Sequence, residues 1–162
     1  MRLFSVLALV TALAACGRVP PLVDTYPGAE SLAEAVLEAL ARKDRSALEG
    51  MALSEREVRD HVWPELPASR PERNLPFSYV WGDLHQKSLG ALSETLARHG
   101  GRRYDLVRVT FNGQTDYQSF RVHREAAFHI RDTAGQEQTI RVCGSFIERD
   151  GAWKVFSFVV DD

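Results

Sequence analysis

The sequence predicts an α+β fold in which N-terminal helices and one long helix pack on a curved four-stranded antiparallel meander. Two observations carry this. Between positions 29 and 99 the apolar residues recur three or four apart, and beyond Gly100-Gly101 they alternate, so the helical period gives way to the strand period. Between the last two alternating runs stands Asp150-Gly151, a two-residue hairpin turn that makes those strands antiparallel neighbours.

In chain order, residues 1 to 15 have the layout of an export signal: Arg2 supplies a short positive end, and Leu3 to Ala15 is an apolar run interrupted only by Ser5 and Thr11. A bilayer span needs about 20 apolar residues, so this shorter run reads as a segment to be removed. Its end, Leu13-Ala14-Ala15-Cys16-Gly17, resembles the lipobox of bacterial lipoproteins. The resemblance implies that the Cys16 thiol is diacylglycerated, that the peptide is cut before it, and that the new amino group is acylated, with palmitate the expected chain. A cysteine suits the role because its thiolate is the side-chain nucleophile best fitted to form a thioether. Ala12-Leu13-Ala14 also fits the small-x-small cleavage site of ordinary secretion. In such lipoproteins a glycine rather than an aspartate after the cysteine goes with delivery to the outer membrane, which implies a lipid-anchored envelope protein facing the periplasm.

Residues 16 to 28 then read as the lipidated cysteine and a flexible tether, since "GRVPPLVDTYPG" carries three prolines and two glycines and no apolar period. The body, 29 to 162, is long enough for one domain with its own core. With 20 Lys+Arg against 22 Asp+Glu and no basic face or tail, nothing points to nucleic acid as a partner. If Cys16 is lipidated, Cys143 is left without an intramolecular partner, so packing and not disulfides must hold the fold.

Ala29 to Arg42 is an amphipathic helix, with Leu32, Val36, Leu37 and Leu40 on one side and Glu30, Glu34, Glu38 and Arg42 away from them. Asp44 caps a short second helix through Met51. Ser54 and Glu57 form the S-x-x-E capping pattern of a third, which ends near Trp63-Pro64. "PELPASRPERNLP" holds four prolines in thirteen residues and reads as an irregular loop. Pro76 opens the long helix, with Phe77, Val80, Trp81, Leu84, Ser88, Leu92 and Leu96 in one row, and Gly100-Gly101 stops it.

Tyr104 to Phe111, Tyr117 to Arg131, Thr139 to Arg149 and Trp153 to Val160 read as the four strands. The Asp-Gly turn pairs Glu148 with Trp153, Phe146 with Val155, Gly144 with Ser157 and Val142 with Val159 on one face. Ile147 then meets Lys154, Ser145 meets Phe156, and Cys143 meets Phe158 on the other. Both faces carry apolar residues, so the second must be covered by more chain, a ligand or another subunit. Because Ile147, Phe156, Phe158 and Val160 share it, a homodimer through the C-terminal sheet is one expectation. The expected core is Leu32, Val36, Leu37, Leu40, Trp81, Leu84, Leu92, Phe128, Phe146 and Val155.

Helices first, a long helix in the middle and a curved meander ending in "FIERDGAWKVFSFVV" resemble the NTF2-like, or SnoaL-like, α+β superfamily over roughly residues 29 to 162. One departure is that the superfamily commonly has a strand or hairpin between the helices, where this chain has its proline-rich 64 to 76. The resemblance implies a cavity between helices and sheet, used by some members for isomerase, cyclase or dehydratase chemistry and by many for binding or assembly without chemistry. The acid-base set of the superfamily's ketosteroid isomerases has no counterpart here: Asp83, Asp105 and Asp116 fall at positions where solvent is expected. The function expected is therefore a membrane-anchored, non-catalytic binding or assembly module, taking an apolar ligand or an envelope protein, with no cofactor. The alternative is a SnoaL-like enzyme acting on a small apolar molecule in the helix-sheet cavity.

No other constellation asks for chemistry. His123, Glu125 and His129 share a strand face with Arg121 and Arg131, but His123 and His129 are about 20 Å apart on an extended strand and cannot ligate one metal ion. That stripe reads as a solvated sheet face, or as an anion or partner surface built on the two arginines. Cys143 reads as a small apolar core residue. Trp63, Trp81 and Trp153 lie on apolar rows and read as packing residues, with stacking on a flat ligand as their other use. The sequence holds no Gly-rich phosphate loop, no G-x-S-x-G and no CxxC pair.

Overall fold

Helix α1 (Ala29–Arg42) turns Leu32, Val36, Leu37 and Leu40 inward, where each is almost or wholly buried. The structure is a computed structural model and describes residues 20–160; the expected export signal, Cys16 and the start of the expected tether lie outside the described residues. Asp44 accepts the Ala47 amide at 3.0 Å and starts α2 (Arg45–Met51). Ser54 and Glu57 close a complete capping box at α3 (Glu55–Glu57), which runs on as a π-turn over Val58–Val62. The proline-rich stretch is less irregular than expected. It forms three 3₁₀ turns, Trp63–Glu65, Pro67–Ser69 and Pro71–Arg73, each with a proline in its first two positions, where a fixed φ helps and the missing N–H costs nothing. Helix α4 (Phe77–His99) follows.

Seven strands replace the four expected: β1 (Tyr104–Thr110), β2 (Gln114–Asp116), β3 (Arg121–Arg124), β4 (Ala127–Asp132), β5 (Glu137–Ile140), β6 (Cys143–Arg149) and β7 (Ala152–Phe158). They form two antiparallel sheets, ordered β1-β4-β5 and β2-β3-β6-β7, where a single four-stranded meander was expected. The break has a local cause. Glu125 adopts the left-handed conformation, with φ 52°, and interrupts the alternation of the second expected strand. Val122 therefore faces one core, and Ala126, Phe128 and Ile130 face another.

The final hairpin turns at Asp150 and Gly151, both at positive φ, as the Asp-Gly pair demands. Glu148 pairs with Trp153, Ile147 with Lys154, and Phe146 with Val155, as expected. Beyond that the register slips twice. Phe156 is an extra residue on β7, so Ser145 meets Ser157; Gly144 is then an extra residue on β6, and Cys143 again meets Phe158. A Cβ at Gly144 would stand 2.7 Å from Ser157 Oγ, which is why the second bulge holds a glycine. The two slips cancel in the pairing but not in the facing. Cys143 and Phe158 join Phe146 and Val155 in the main core, contrary to the faces expected from unbroken alternation.

Two cores result. The main one lies between α1 and the sheets, where Leu32, Val36, Leu40, Phe128, Ile130 and Phe146 are all fully buried. The second joins Leu22, Leu53, Val58, Val62, Phe120, Val122 and Ile147. Of the hairpin residues on which the homodimer expectation rested, Ile147 is buried in this second core with Phe156 against it, and Phe158 has turned to the main core. On the same hairpin, Lys154 Nζ lies 3.1 and 3.2 Å from the two Glu57 carboxylate oxygens, and both side chains are almost fully buried.

Part of the stretch expected as a tether, 16 to 28, is packed on the domain as an N-terminal strap. Leu22 is buried in the second core, the Val23 amide donates to Glu57 Oε1 at 3.0 Å, and Tyr26 exchanges two backbone hydrogen bonds with Trp153.

Helix α4 departs most from expectation. Of its apolar row only Leu92 is buried, Trp81 is partly covered, and Leu84 is 40% exposed. Its C-terminal half packs on the main core through Leu92, while its N-terminal half touches the second core through Phe77 and Trp81 and leaves Leu84 exposed. Truncation should separate the two kinds of position: Phe146→Ala should cost about 3 to 5 kcal/mol and Leu84→Ala less than about 1 kcal/mol in urea unfolding. Equal losses would contradict the placement of α4.

Candidate functional site

Strand β7 is the edge of its sheet, and α4 approaches that edge without pairing to it. Two side chains on the helix make the connection. Ser88 Oγ accepts the Phe158 amide at 3.0 Å, and Thr95 Oγ1 donates to the Val159 carbonyl at 3.1 Å. Ser88 and Thr95 are two helical turns apart, so they fix the C-terminal half of α4 against β7 and leave the half before Ser88 unstitched.

The gap under that half is a groove of about 90 Å³. Trp81, Leu84 and Leu89 line it from α4, Phe156 and Phe158 from β7, and Ala52, Leu53 and Val58 from the α2–α3 junction. Trp81 stacks on His85 one turn later, with ring centroids 4.7 Å apart, which holds the indole at the groove mouth. Little that is polar enters. The Ser88 hydroxyl oxygen is occupied by the Phe158 amide, and Glu49 stands at the rim as an exposed partner of Arg45. The volume is below the roughly 150 Å³ of a cavity that takes benzene, so the groove suits a slender alkyl end or a ring edge. A wider depression of about 630 Å³ lies open between α1 and β1; Glu34, Glu38, Arg42, Arg103 and Asp105 give it charges of both signs and no single demand on a ligand.

The residues that the sequence offered for chemistry are not brought together. Asp83 is exposed and paired with Lys87, Asp116 is exposed and paired with Arg121, and Asp105 is exposed on β1. The His123–His129 stripe is divided by the Glu125 bulge. His129 lies between the Thr110 and Thr139 hydroxyls, whereas His123 stacks on Trp153 at 4.5 Å and against Phe111 at 5.1 Å. Among the described residues no three His, Cys, Asp or Glu side chains gather as a metal site would require. Cys143 is fully buried and its thiol is pushed up by desolvation, consistent with the core role expected of it. Of the tryptophans, Trp63 packs edge-on to Phe77 and Trp153 packs on His123, while Trp81 reaches the groove.

Two histidines and one glutamate titrate abnormally for physical reasons. Burial lowers His61, and the Arg149 guanidinium against its Nδ1 lowers it further. Burial also lowers His123, outweighing the opposing pull of Glu148, and His123 Nε2 is buried without a hydrogen-bond partner. Burial would raise Glu57, but the Ser54 and Val23 amides, the Ser54 hydroxyl and Lys154 outweigh it and leave the carboxyl below its usual value.

Sequence reasoning foresaw an apolar space beside the long helix but not its lining. Leu53, Val58 and Ala52 belong to a junction with no period of its own, and only the capping box at Ser54 and Glu57 hinted that this turn is fixed.

No family model matches the chain, and no curated protein or solved structure is detectably similar to it.

A histidine held below its unfolded value stabilises the fold fully above about pH 6.5 and loses that contribution as the pH falls. His61 and His123 both act in this direction. His123→Phe keeps a ring against Trp153 and Phe111 and removes the unpartnered nitrogen. It should leave the domain at least as stable at pH 7 and make the fall in unfolding midpoint toward pH 5 shallower; a slope identical to the parent's would refute the assignment.

Proposed function

We propose that this chain is a bacterial envelope lipoprotein, anchored by lipid on Cys16 to the outer membrane and facing the periplasm. Its NTF2-like domain then serves as a non-catalytic binding module that receives an apolar chain or ring edge in the α4–β7 groove. The observation that carries the reading is the groove itself. A helix that buries Leu92 near one end and rests Phe77 and Trp81 on the second core at the other leaves Leu84 exposed between them, beside Phe156 and Phe158, so apolar surface is kept open between elements that are otherwise packed.

The lipobox-like Leu13-Ala14-Ala15-Cys16 supports the anchor. In the described residues no helix is long and apolar enough to cross a membrane, so attachment would fall to the lipid. The antiparallel sheets with α1 packed on β1 and β7 support the NTF2-like reading. The space between α1 and the sheets, where a SnoaL-like enzyme holds its substrate, is filled by Leu32, Val36, Leu40, Phe128 and Phe146. Of the two serines that line the groove, Ser88 has its oxygen engaged by a backbone amide and Ser157 shares a hydrogen bond with the Ser145 hydroxyl. Both facts favour binding over turnover.

The test joins anchor and groove. Cells grown with a clickable palmitate should label the wild type and not Cys16→Ala. Native mass spectrometry of protein purified from those cells should show a bound apolar molecule that Leu84→Glu loses while its unfolding midpoint stays near the parent's, as an exposed position permits. Equal labelling of both forms refutes the anchor, and a ligand retained by Leu84→Glu refutes the groove.

A further inference from the structure

The N-terminal strap fixes how far the domain stands from its anchor. Leu22 is buried, Val23 is bonded to Glu57, Tyr26 is paired with Trp153, and the Pro20 carbonyl sits against the His61 ring. Residues 17 to 19 alone therefore separate Cys16 from a point fixed on the domain. An extended chain advances at most about 3.6 Å per residue, so Pro20 lies within about 14 Å of the Cys16 Cα. Such a leash is shorter than the roughly 30 Å width of a folded domain of this length.

The part of the domain to which it is attached is identifiable. His61 touches Arg149 beside the β6–β7 turn, and Glu65 accepts the amides of Gln118 and Ser119 in the β2–β3 loop. Phe77, at the start of α4, packs with the cluster that buries Leu22 and lies under the Arg59 guanidinium. Three of the five large apolar side chains exposed among the described residues are close in sequence to Leu22 and Phe77: Val23 at 56%, Leu75 at 40% and Tyr79 at 68%. A tyrosine with apolar neighbours and nearby arginines, here Arg70 and Arg73, is the composition favoured where protein meets lipid headgroups.

We propose that this part of the domain lies on the phospholipid surface that holds the Cys16 acyl chains, with Val23, Leu75 and Tyr79 at the interface. The β4–β5 turn then points away from the membrane. The inference rests on lipidation of Cys16 and adds to it an orientation, which the strap imposes whatever the groove binds.

Full-length protein purified in its lipidated form tests this in vesicles of phosphatidylethanolamine and phosphatidylglycerol that carry a headgroup quencher. A dye is placed at Gln118→Cys, in the β2–β3 loop bonded to Glu65, or at Thr133→Cys, in the β4–β5 turn of the other sheet. Both positions are exposed, and buried Cys143 does not compete for the dye. The dye at 118 should be quenched several-fold more than the dye at 133, and a long Gly-Ser spacer between Val19 and Pro20 should shrink the difference. Equal quenching at the two positions, or a difference that the spacer leaves unchanged, overturns the orientation while leaving the anchor standing. Intact mass without lipid on Cys16 overturns both.

Discussion

The buried pair of Glu57 and Lys154 is the contact on which the arrangement of this domain depends. Taking two charges out of water costs several kcal/mol per ion unless their remaining hydrogen-bonding capacity is used. Here it is used. The Glu57 carboxylate accepts from Lys154, from the Ser54 amide and hydroxyl and from the Val23 amide, so one side chain joins the hairpin, the α3 turn and the N-terminal strap. Neither the α3 turn nor the strap is held there by regular secondary structure of any length. The pair fixes the position of α3, and α3 with the strap buries Ile147 and closes the second core. Without it the hairpin would expose the apolar face that its alternation predicts.

A related constraint is the outer edge of β7, whose backbone groups must be satisfied or shielded to prevent pairing with another chain. Successive short segments do this. Tyr26 pairs with Trp153, Leu53 donates to Val155, Ser88 accepts from Phe158, and Thr95 donates to Val159. Because the last two are side-chain contacts from a helix rather than a strand, α4 meets the sheet at points and not along a line. The groove under Trp81 and Leu84 is the space that this manner of attachment leaves. Strap, edge and groove therefore follow from one arrangement around β7.

Local chemistry was legible where a single residue type decides the backbone. Asp44, the Ser54–Glu57 box, Gly100-Gly101 and Asp150-Gly151 all act within a few residues, and the chain obeys them. What escaped was set by tertiary geometry. The two bulges of the last hairpin cancel in register, so they leave no trace in the spacing while turning Cys143 and Phe158 to the other face. Glu125 is an ordinary strand residue by composition, and only its left-handed backbone divides the sheet. The row on α4 correctly marks the side of the helix that faces the body, but periodicity carries no information about distance, and Leu84 stands off while Leu92 is buried. Prolines and glycines suggested a tether through Gly28 because they report the absence of a period and not the presence of hydrogen bonds. The candidate groove was legible only as an apolar space beside the long helix; its other wall comes from a junction and a slipped strand.

Native-state hydrogen exchange at the Val23 amide tests the account most directly, because that group belongs to the strap by sequence and to the Glu57–Lys154 pair by hydrogen bonding. If the pair holds strap, turn and hairpin as one unit, Val23 should exchange only through the opening that also releases the Ile147 amide in the central strand β6, and its opening free energy should match that of Ile147. Exchange of Val23 through local fraying, orders of magnitude faster than Ile147, would contradict it.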